Sequence, residues 1–196
     1  MSDKDLRFNS KVIHGGQKPD KAYGAVMPPI YQTSTYAQTS PGEHMGFEYS
    51  RSGNPTRAAL ENALASIENG NFGLAFASGL AAMDAVIKLL EPGDEVISTN
   101  DLYGGSYRLF RQVFEKYVIK FHFVGMHEVY KIAALINSNT KLIWVETPTN
   151  PMMNVIDLQA VSELAKSNKL LMAVDNTFAT PYLQQPLDLG ADIVMH

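Results

Sequence analysis

From about residue 72 onward the chain alternates short apolar runs with helical stretches, and this alternation constrains the fold more than any other feature. Apolar runs at 74–77, 95–98, 119–124, 142–146, 170–174 and 193–195 read as buried strands. Between them, 80–90, 106–116, 129–136 and 158–167 carry apolar residues at helical spacing. Strands that alternate with helices predict an α/β domain with a mostly parallel sheet, because parallel neighbours need a long crossover. Ligands on such sheets bind beyond the carboxyl ends of the strands. That rule singles out Ser78 and Gly79, then 101–105, 147–151 and 175–177.

The first 48 or so residues show little periodicity. Gly15-Gly16, Pro28-Pro29 and Pro41-Gly42 break any long element. This stretch reads as an extended arm, and arms of this kind commonly pack on another subunit. A helix is expected over 57–67, opening near Thr56 and closing before Asn69-Gly70. The domain division is therefore an arm over 1–56 and a ligand-binding domain over 57–196. Hydrophobic residues make up 45% of the chain, enough for a real core. The net charge of −4, with no basic run, argues against nucleic acid or an anionic membrane as partner. No cysteine is present, which excludes a disulfide framework, a thiolate metal site and a cysteine nucleophile. The five histidines lack paired ligand spacing, so no metal is expected. No apolar run approaches the roughly 20 residues of a membrane span. The polar start, Met1 to Asp5, is unlike a signal peptide, and a cytoplasmic protein is expected.

Seven residues carry candidate chemistry. Gly79 follows a strand and opens a helix, where backbone N–H groups of Gly79 and Leu80 can cradle a phosphate; an ordinary strand-to-helix turn has the same pattern. Asp175 ends an apolar strand and can pair with a pyridine nitrogen, or cap a helix. Tyr103 lies in a loop after a strand and can stack on a flat cofactor, or simply pack there. Asn150 precedes a proline, so it can contact a ring oxygen or form a turn. Tyr49 and Arg51 offer a hydroxyl and a guanidinium fork suited to phosphate, although an arm arginine is commonly just solvated. No Gly-x-Ser-x-Gly elbow and no Gly-x-x-x-x-Gly-Lys loop occurs, so serine hydrolase and P-loop readings have no foothold.

The order of these motifs is more specific than any one of them. Tyr49-Ser50-Arg51-Ser52-Gly53-Asn54-Pro55-Thr56, Ala77-Ser78-Gly79-Leu80-Ala81-Ala82 and Asp101-Leu102-Tyr103-Gly104-Gly105 occur in that order, followed by Glu146-Thr147-Pro148-Thr149-Asn150-Pro151 and Val174-Asp175-Asn176-Thr177-Phe178. Together they resemble the Cys/Met-metabolism family of pyridoxal-phosphate (PLP) enzymes, which includes the cystathionine γ-lyases, γ-synthases and β-lyases. The resemblance implies an aspartate-aminotransferase-type (fold type I) large domain and a homo-oligomer built from active dimers. It implies that Tyr49 and Arg51 bind the phosphate of a neighbouring subunit's cofactor and that Gly79 and Leu80 form the backbone phosphate cradle. It further implies that Tyr103 stacks on the pyridine and shuttles protons, that Asn150 lies near the phenolic oxygen and the substrate, that Asp175 pairs with the pyridinium and that Thr177 lies beside the ring.

Beyond His196 the family pattern continues with a Ser-x-Thr-Lys run that carries the Schiff-base lysine, and then a smaller C-terminal domain. Neither is in this chain. Lys88 and Lys116 fall in expected helices, and Lys141 and Lys169 precede strands rather than end them. These 196 residues alone are expected to be inactive. Methionine γ-lyases resemble this chain but place a cysteine where Gly105 stands, which disfavours that activity. Glu48 resembles the acid that γ-lyases use near the distal amino group of cystathionine. The expected activity is α,γ-elimination of L-cystathionine in transsulfuration and cysteine biosynthesis. The alternatives are γ-replacement of an O-acylhomoserine by cysteine (cystathionine γ-synthase), a non-catalytic PLP-fold protein, and an α/β domain for another phosphate ligand.

Overall fold

The computed structural model describes residues 6–196, which divide into compact units ending at Ala75 and beginning at Phe76. The first unit is less bare than its sequence suggests. It holds a helix at Phe8–His14 (α1), a small antiparallel hairpin of Gln38–Ser40 (β1) with Glu43–His44 (β2), and a longer helix at Pro55–Ile67 (α2). Asn54 caps α2, its side chain accepting from the Thr56 and Arg57 amides, and Pro55 suits the first helical position. The chain after α1 lies close on α2: a Cβ at Gly15 would fall 2.5 Å from Ser66 Oγ, so only glycine fits there.

The second unit is the expected parallel α/β domain. Its elements are Gly79–Ile87 (α3), Glu95–Thr99 (β3), Gly104–Arg108 (α4), Lys120–Val124 (β4), Val129–Ala133 (α5), Thr140–Glu146 (β5), Leu158–Ser167 (α6), Leu171–Asp175 (β6), Thr180–Leu183 (α7) and Ile193–Met195 (β7). Five strands pair in the order β4-β3-β5-β6-β7, all parallel. Successive strand residues face opposite sides, and the sequence uses this to build two cores. Ile97, Ile143, Val145, Met172 and Val174 pack with α5 and α6 on one face. Val96, Leu142, Trp144 and Ala173 pack on the other with α3, Phe110 and Phe114. Phe110 stacks on Phe121 at 4.5 Å between centroids and meets Trp144 edge-on at 5.8 Å. Each such fully buried side chain contributes roughly 1.5–3 kcal/mol.

Three expectations are corrected. Residues 74–77 form no strand, although the run is apolar. A strand exists only with a ladder partner, none of the described strands pairs with it, and Leu74 is 74% exposed. The expected helix over 106–116 is three pieces: α4, a π-helical turn at Leu109–Val113 and a 3₁₀ turn at Phe114–Tyr117. It ends at Val118, whose φ of 65° is left-handed. The helix expected over 80–90 stops at Ile87, shortly before Pro92-Gly93, which cannot continue it.

Candidate active site

Strand order reverses beside β3: the chain steps outward to β4, then returns to β5 and proceeds the other way through β6 and β7. The loops leaving β3 and β5 diverge at this switch point, so a crevice opens at their carboxyl ends. A cavity of about 450 Å³ occupies that end, the size of a small-ligand site. Gly79, Leu80, Tyr103, Asn150, Asp175 and Thr177 all line it, so six residues singled out from the sequence converge on one place.

Helix α3 contributes its N-terminus. Ser78 caps it by accepting from the Ala81 amide, while the amides of the first turn have no acceptor within the helix. A Cβ placed on Gly79 would meet only Met195 Cε at 3.5 Å and the His196 carbonyl oxygen at 3.8 Å, ordinary contacts. The fold therefore does not itself require glycine at position 79; close approach of a ligand to this backbone would.

Asp175 ends β6 and is 7% exposed. Its Oδ1 accepts from the Thr177 amide at 3.0 Å and from the Thr177 hydroxyl at 2.6 Å. Among the described residues no donor reaches Oδ2. Asp175 does not cap α7, which begins at Thr180 with Ala179 as its N-cap residue. The following Asn176 is fully buried, and it is anchored by its amide to the Met195 carbonyl and by two side-chain bonds with Gln184. The Asp175 carboxylate is thus held from both sides of the turn.

Sequence reasoning quoted Glu146 within a motif and gave it no role. Glu146 ends β5 as Asp175 ends β6, and the two residues are register partners on adjacent strands. Glu146 is 4% exposed and lines the same cavity. Both of its carboxylate oxygens accept from the Tyr103 amide, at 3.1 and 2.9 Å. Burial pushes its carboxyl up to about 7; the Tyr103 amide opposes this, while Asp175 adds to it. The rule that picked out Asp175, a carboxylate at the carboxyl end of a buried strand, also picks out Glu146. Ser78 and Pro148, which the strand-end rule marked without a role, complete the lining with Met83, Phe178, Met195 and His196, which carried no earlier assignment.

Tyr103 is 47% exposed, and its ring lies against Gly105: a Cβ there would fall 2.2 Å from Tyr103 Cε1. Any side chain at 105 would displace that ring. Asp101, two residues before Tyr103, accepts from the Thr149 hydroxyl, from the Met152 amide at 3.2 Å and from Asn154 Nδ2 at 3.3 Å. The loops after β3 and β5 are therefore tied together beneath Tyr103 and Asn150.

Glu48, Tyr49 and Arg51 belong to the first unit. All three are exposed, and the Arg51 guanidinium lies 5.4 Å from the centroid of the Tyr49 ring. Tyr49 also makes an isolated antiparallel bridge with Thr35. Among the described residues no helix is long and apolar enough to cross a membrane.

Fold and site together define an α/β protein that presents carboxylates, an aromatic ring and a helix N-terminus to a small ligand at the switch point of a parallel sheet. The chain belongs to the Cys/Met metabolism PLP-dependent enzyme family, which matches residues 9–196. Cystathionine β-lyase of Coxiella burnetii is 50% identical over 196 residues, covering all of this chain and 51% of that protein. Cystathionine γ-synthase of Mycobacterium leprae is 50% identical over 189 residues, covering 95% of this chain and 49% of the relative. The crystal structure of cystathionine γ-lyase from Lactobacillus plantarum, complexed with L-serine, matches with a TM-score of 0.94 at 46% identity, covering 96% of this chain and 49% of that one. The chain spans about half the length of the curated relatives it matches. The fold is thus the expected fold type I of PLP enzymes, and PLP is the cofactor of the family.

Proposed function

We propose that the full-length protein is a PLP enzyme of sulfur amino-acid metabolism that cleaves L-cystathionine by α,γ-elimination, a cystathionine γ-lyase. One observation carries the reading: a carboxylate with a free oxygen (Asp175), an aromatic ring (Tyr103), a side-chain amide (Asn150) and a helix N-terminus (Gly79, Leu80) meet in one cavity. PLP has a part for each: a pyridine nitrogen, a ring face, a phenolic oxygen and a phosphate. When bound, PLP supplies an electron sink for negative charge at the substrate α-carbon.

The chain's own residues do the rest. Asp175 Oδ2 would hold the proton of the pyridine nitrogen, and Thr177, which occupies Oδ1, would keep the free oxygen aimed inward. The first-turn amides of α3 would bind the phosphate, aided by the positive end of the helix. Tyr103 would cover one ring face, exclude water and move protons through its hydroxyl. Asn150 would donate to the phenolic oxygen and orient the substrate. Tyr49 and Arg51 would bind the phosphate of a neighbouring subunit, in a cytoplasmic homo-oligomer built from active dimers. Glu48 would receive the distal ammonium group of cystathionine. Among the described residues no lysine lines the cavity, and we expect turnover from the full-length protein and none from these 196 residues alone.

The choice of γ-elimination rests on Glu48; glycine in place of cysteine at position 105 argues only against methionine as the substrate. Similar identity to a β-lyase and to a γ-synthase supports two competing reactions. Product analysis separates all three. Full-length protein given L-cystathionine should yield cysteine, 2-oxobutanoate and ammonia. Homocysteine with pyruvate would replace the proposal with β-elimination. Cystathionine formed from an O-acylhomoserine and cysteine, without cleavage of cystathionine, would replace it with γ-replacement.

A further inference from the structure

We propose that Glu146 is a positioning residue for Tyr103: its carboxylate holds the Tyr103 amide and so sets where the Tyr103 ring lies in the cavity. The inference rests on the reading above only for the use of Tyr103 during turnover; the latch itself is a property of the polypeptide.

Three observations support it. First, the Tyr103 amide is bound by both oxygens of a single carboxylate, and among the described residues it donates to no other group. Tyr103 is the N-cap residue of α4, so no helical acceptor is available to it. Second, Glu146 cannot swing away. It is 4% exposed, its own amide donates to the Thr99 hydroxyl at 3.1 Å, and Thr99 in turn reaches the Trp144 carbonyl at 3.4 Å. The loop is thereby registered to the end of β5 and not merely draped over it. Third, the ring rests on Gly105, so the position of the backbone at 103 is passed directly to the ring. A loop free to shift by an ångström would move the ring with it, and errors of that size are costly at reacting centres.

The electrostatics fit a strained but useful arrangement. Asp175 and Asp101 are the charged groups that raise the Glu146 carboxyl, after burial; the Tyr103 and Asn150 amides oppose them. A buried carboxylate beside two like charges is retained at a cost, and the amides it binds are its compensation.

Two readouts test the latch in the full-length protein, with Glu146→Ala and Glu146→Gln. In the cofactor-free form, hydrogen exchange of a peptide spanning 101–105 reads the Tyr103 amide without any turnover. Loss of a charge-assisted bond should speed exchange at Tyr103 about tenfold to a hundredfold in Glu146→Ala. Glu146→Gln keeps one acceptor oxygen and should fall between that variant and the wild type. If Glu146→Ala does not fold, Glu146→Gln decides alone: faster exchange supports the latch, and the wild-type rate overturns it. In the PLP-loaded form, Glu146→Ala should lower kcat/KM about tenfold or more in the wild-type background and by less than twofold in a Tyr103→Ala background, because a positioning residue acts through the group it positions. Equal losses in both backgrounds would overturn the inference. A full-length protein that binds no PLP would defeat the functional reading and leave the exchange test standing.

Discussion

Glu95 and Glu146 are similarly buried carboxylates at opposite ends of one parallel sheet, and their surroundings push them in opposite directions. Glu95 begins β3 at the amino end and is 8% exposed. Asn137 Nδ2 donates to it at 2.8 Å, His122 Nε2 lies at 2.5 Å and Lys120 Nζ at 3.6 Å. The Asn137 and His122 hydrogen bonds hold its carboxyl below the usual range. Glu146 ends β5 at the carboxyl end and meets backbone amides on one side and Asp175 and Asp101 on the other; burial raises it to about 7. Both are little exposed, yet loss of solvent is the largest cause at Glu146, whereas at Glu95 the hydrogen bonds from Asn137 and His122 outweigh it. A buried carboxylate with side-chain donors and a nearby cation fastens strands together. One set beside like charges in a cavity is the signature of a site where chemistry is done.

Five substitutions sharpen that contrast. At the cavity end, Asp175→Ala in the full-length protein should lower kcat by about 10²–10³-fold, because a preorganised charge facing the reacting system is lost. Circular dichroism and melting should show the fold retained, and near-normal turnover would remove Asp175 from the mechanism. At the opposite end, Glu95→Ala should leave kcat within about twofold and cost about 3 kcal/mol in urea unfolding, since His122 and Asn137 lose their shared acceptor.

The two carboxylates also predict opposite pH behaviour. Glu146 is raised in the fold, so its contribution to stability is present below the unfolded value near 4.5 and is lost as pH rises through about 7. Cofactor-free Glu146→Gln should therefore gain on the wild type by about 2 kcal/mol between pH 5 and pH 8, with solvent in the cavity screening part of the shift. Glu95 is lowered, so its contribution is present above about 4.5 and is lost as pH falls through its folded value. Glu95→Gln should be less stable than the wild type at neutral pH and approach it in acid. Unfolding curves across pH check both signs. The smallest effect concerns Gly105→Ala, whose Cβ would fall 2.2 Å from the Tyr103 ring. The ring must shift, and kcat should fall about tenfold with little change in melting temperature.

All five strands of the parallel sheet, β3, β4, β5, β6 and β7, fall where the alternation puts them. Residues 74–77 misled because an apolar run reads the same whether or not a neighbour pairs with it, and a ladder partner is a tertiary property. The 104–117 segment misled for another reason. Its helical spacing is real, but the turn widens and then tightens so that Phe110 and Phe114 both reach the core, which periodicity alone does not encode. Of the site, Gly79, Tyr103, Asn150 and Asp175 were legible because strand-end position and residue chemistry agree. Glu146 was legible by the same rule. Its distinguishing feature, the bond to an amide 43 positions earlier, exists only once β3 and β5 lie side by side.

The central claim is that the cavity at the switch point of this sheet holds PLP. The direct measurement is the cofactor content of the purified full-length protein, by visible absorbance and by mass spectrometry of the released group, in wild type and in Asp175→Ala. Near one PLP per subunit in the wild type, with an altered spectrum in the variant, is the result the account predicts. A colourless wild-type protein that neither contains nor takes up PLP would contradict it.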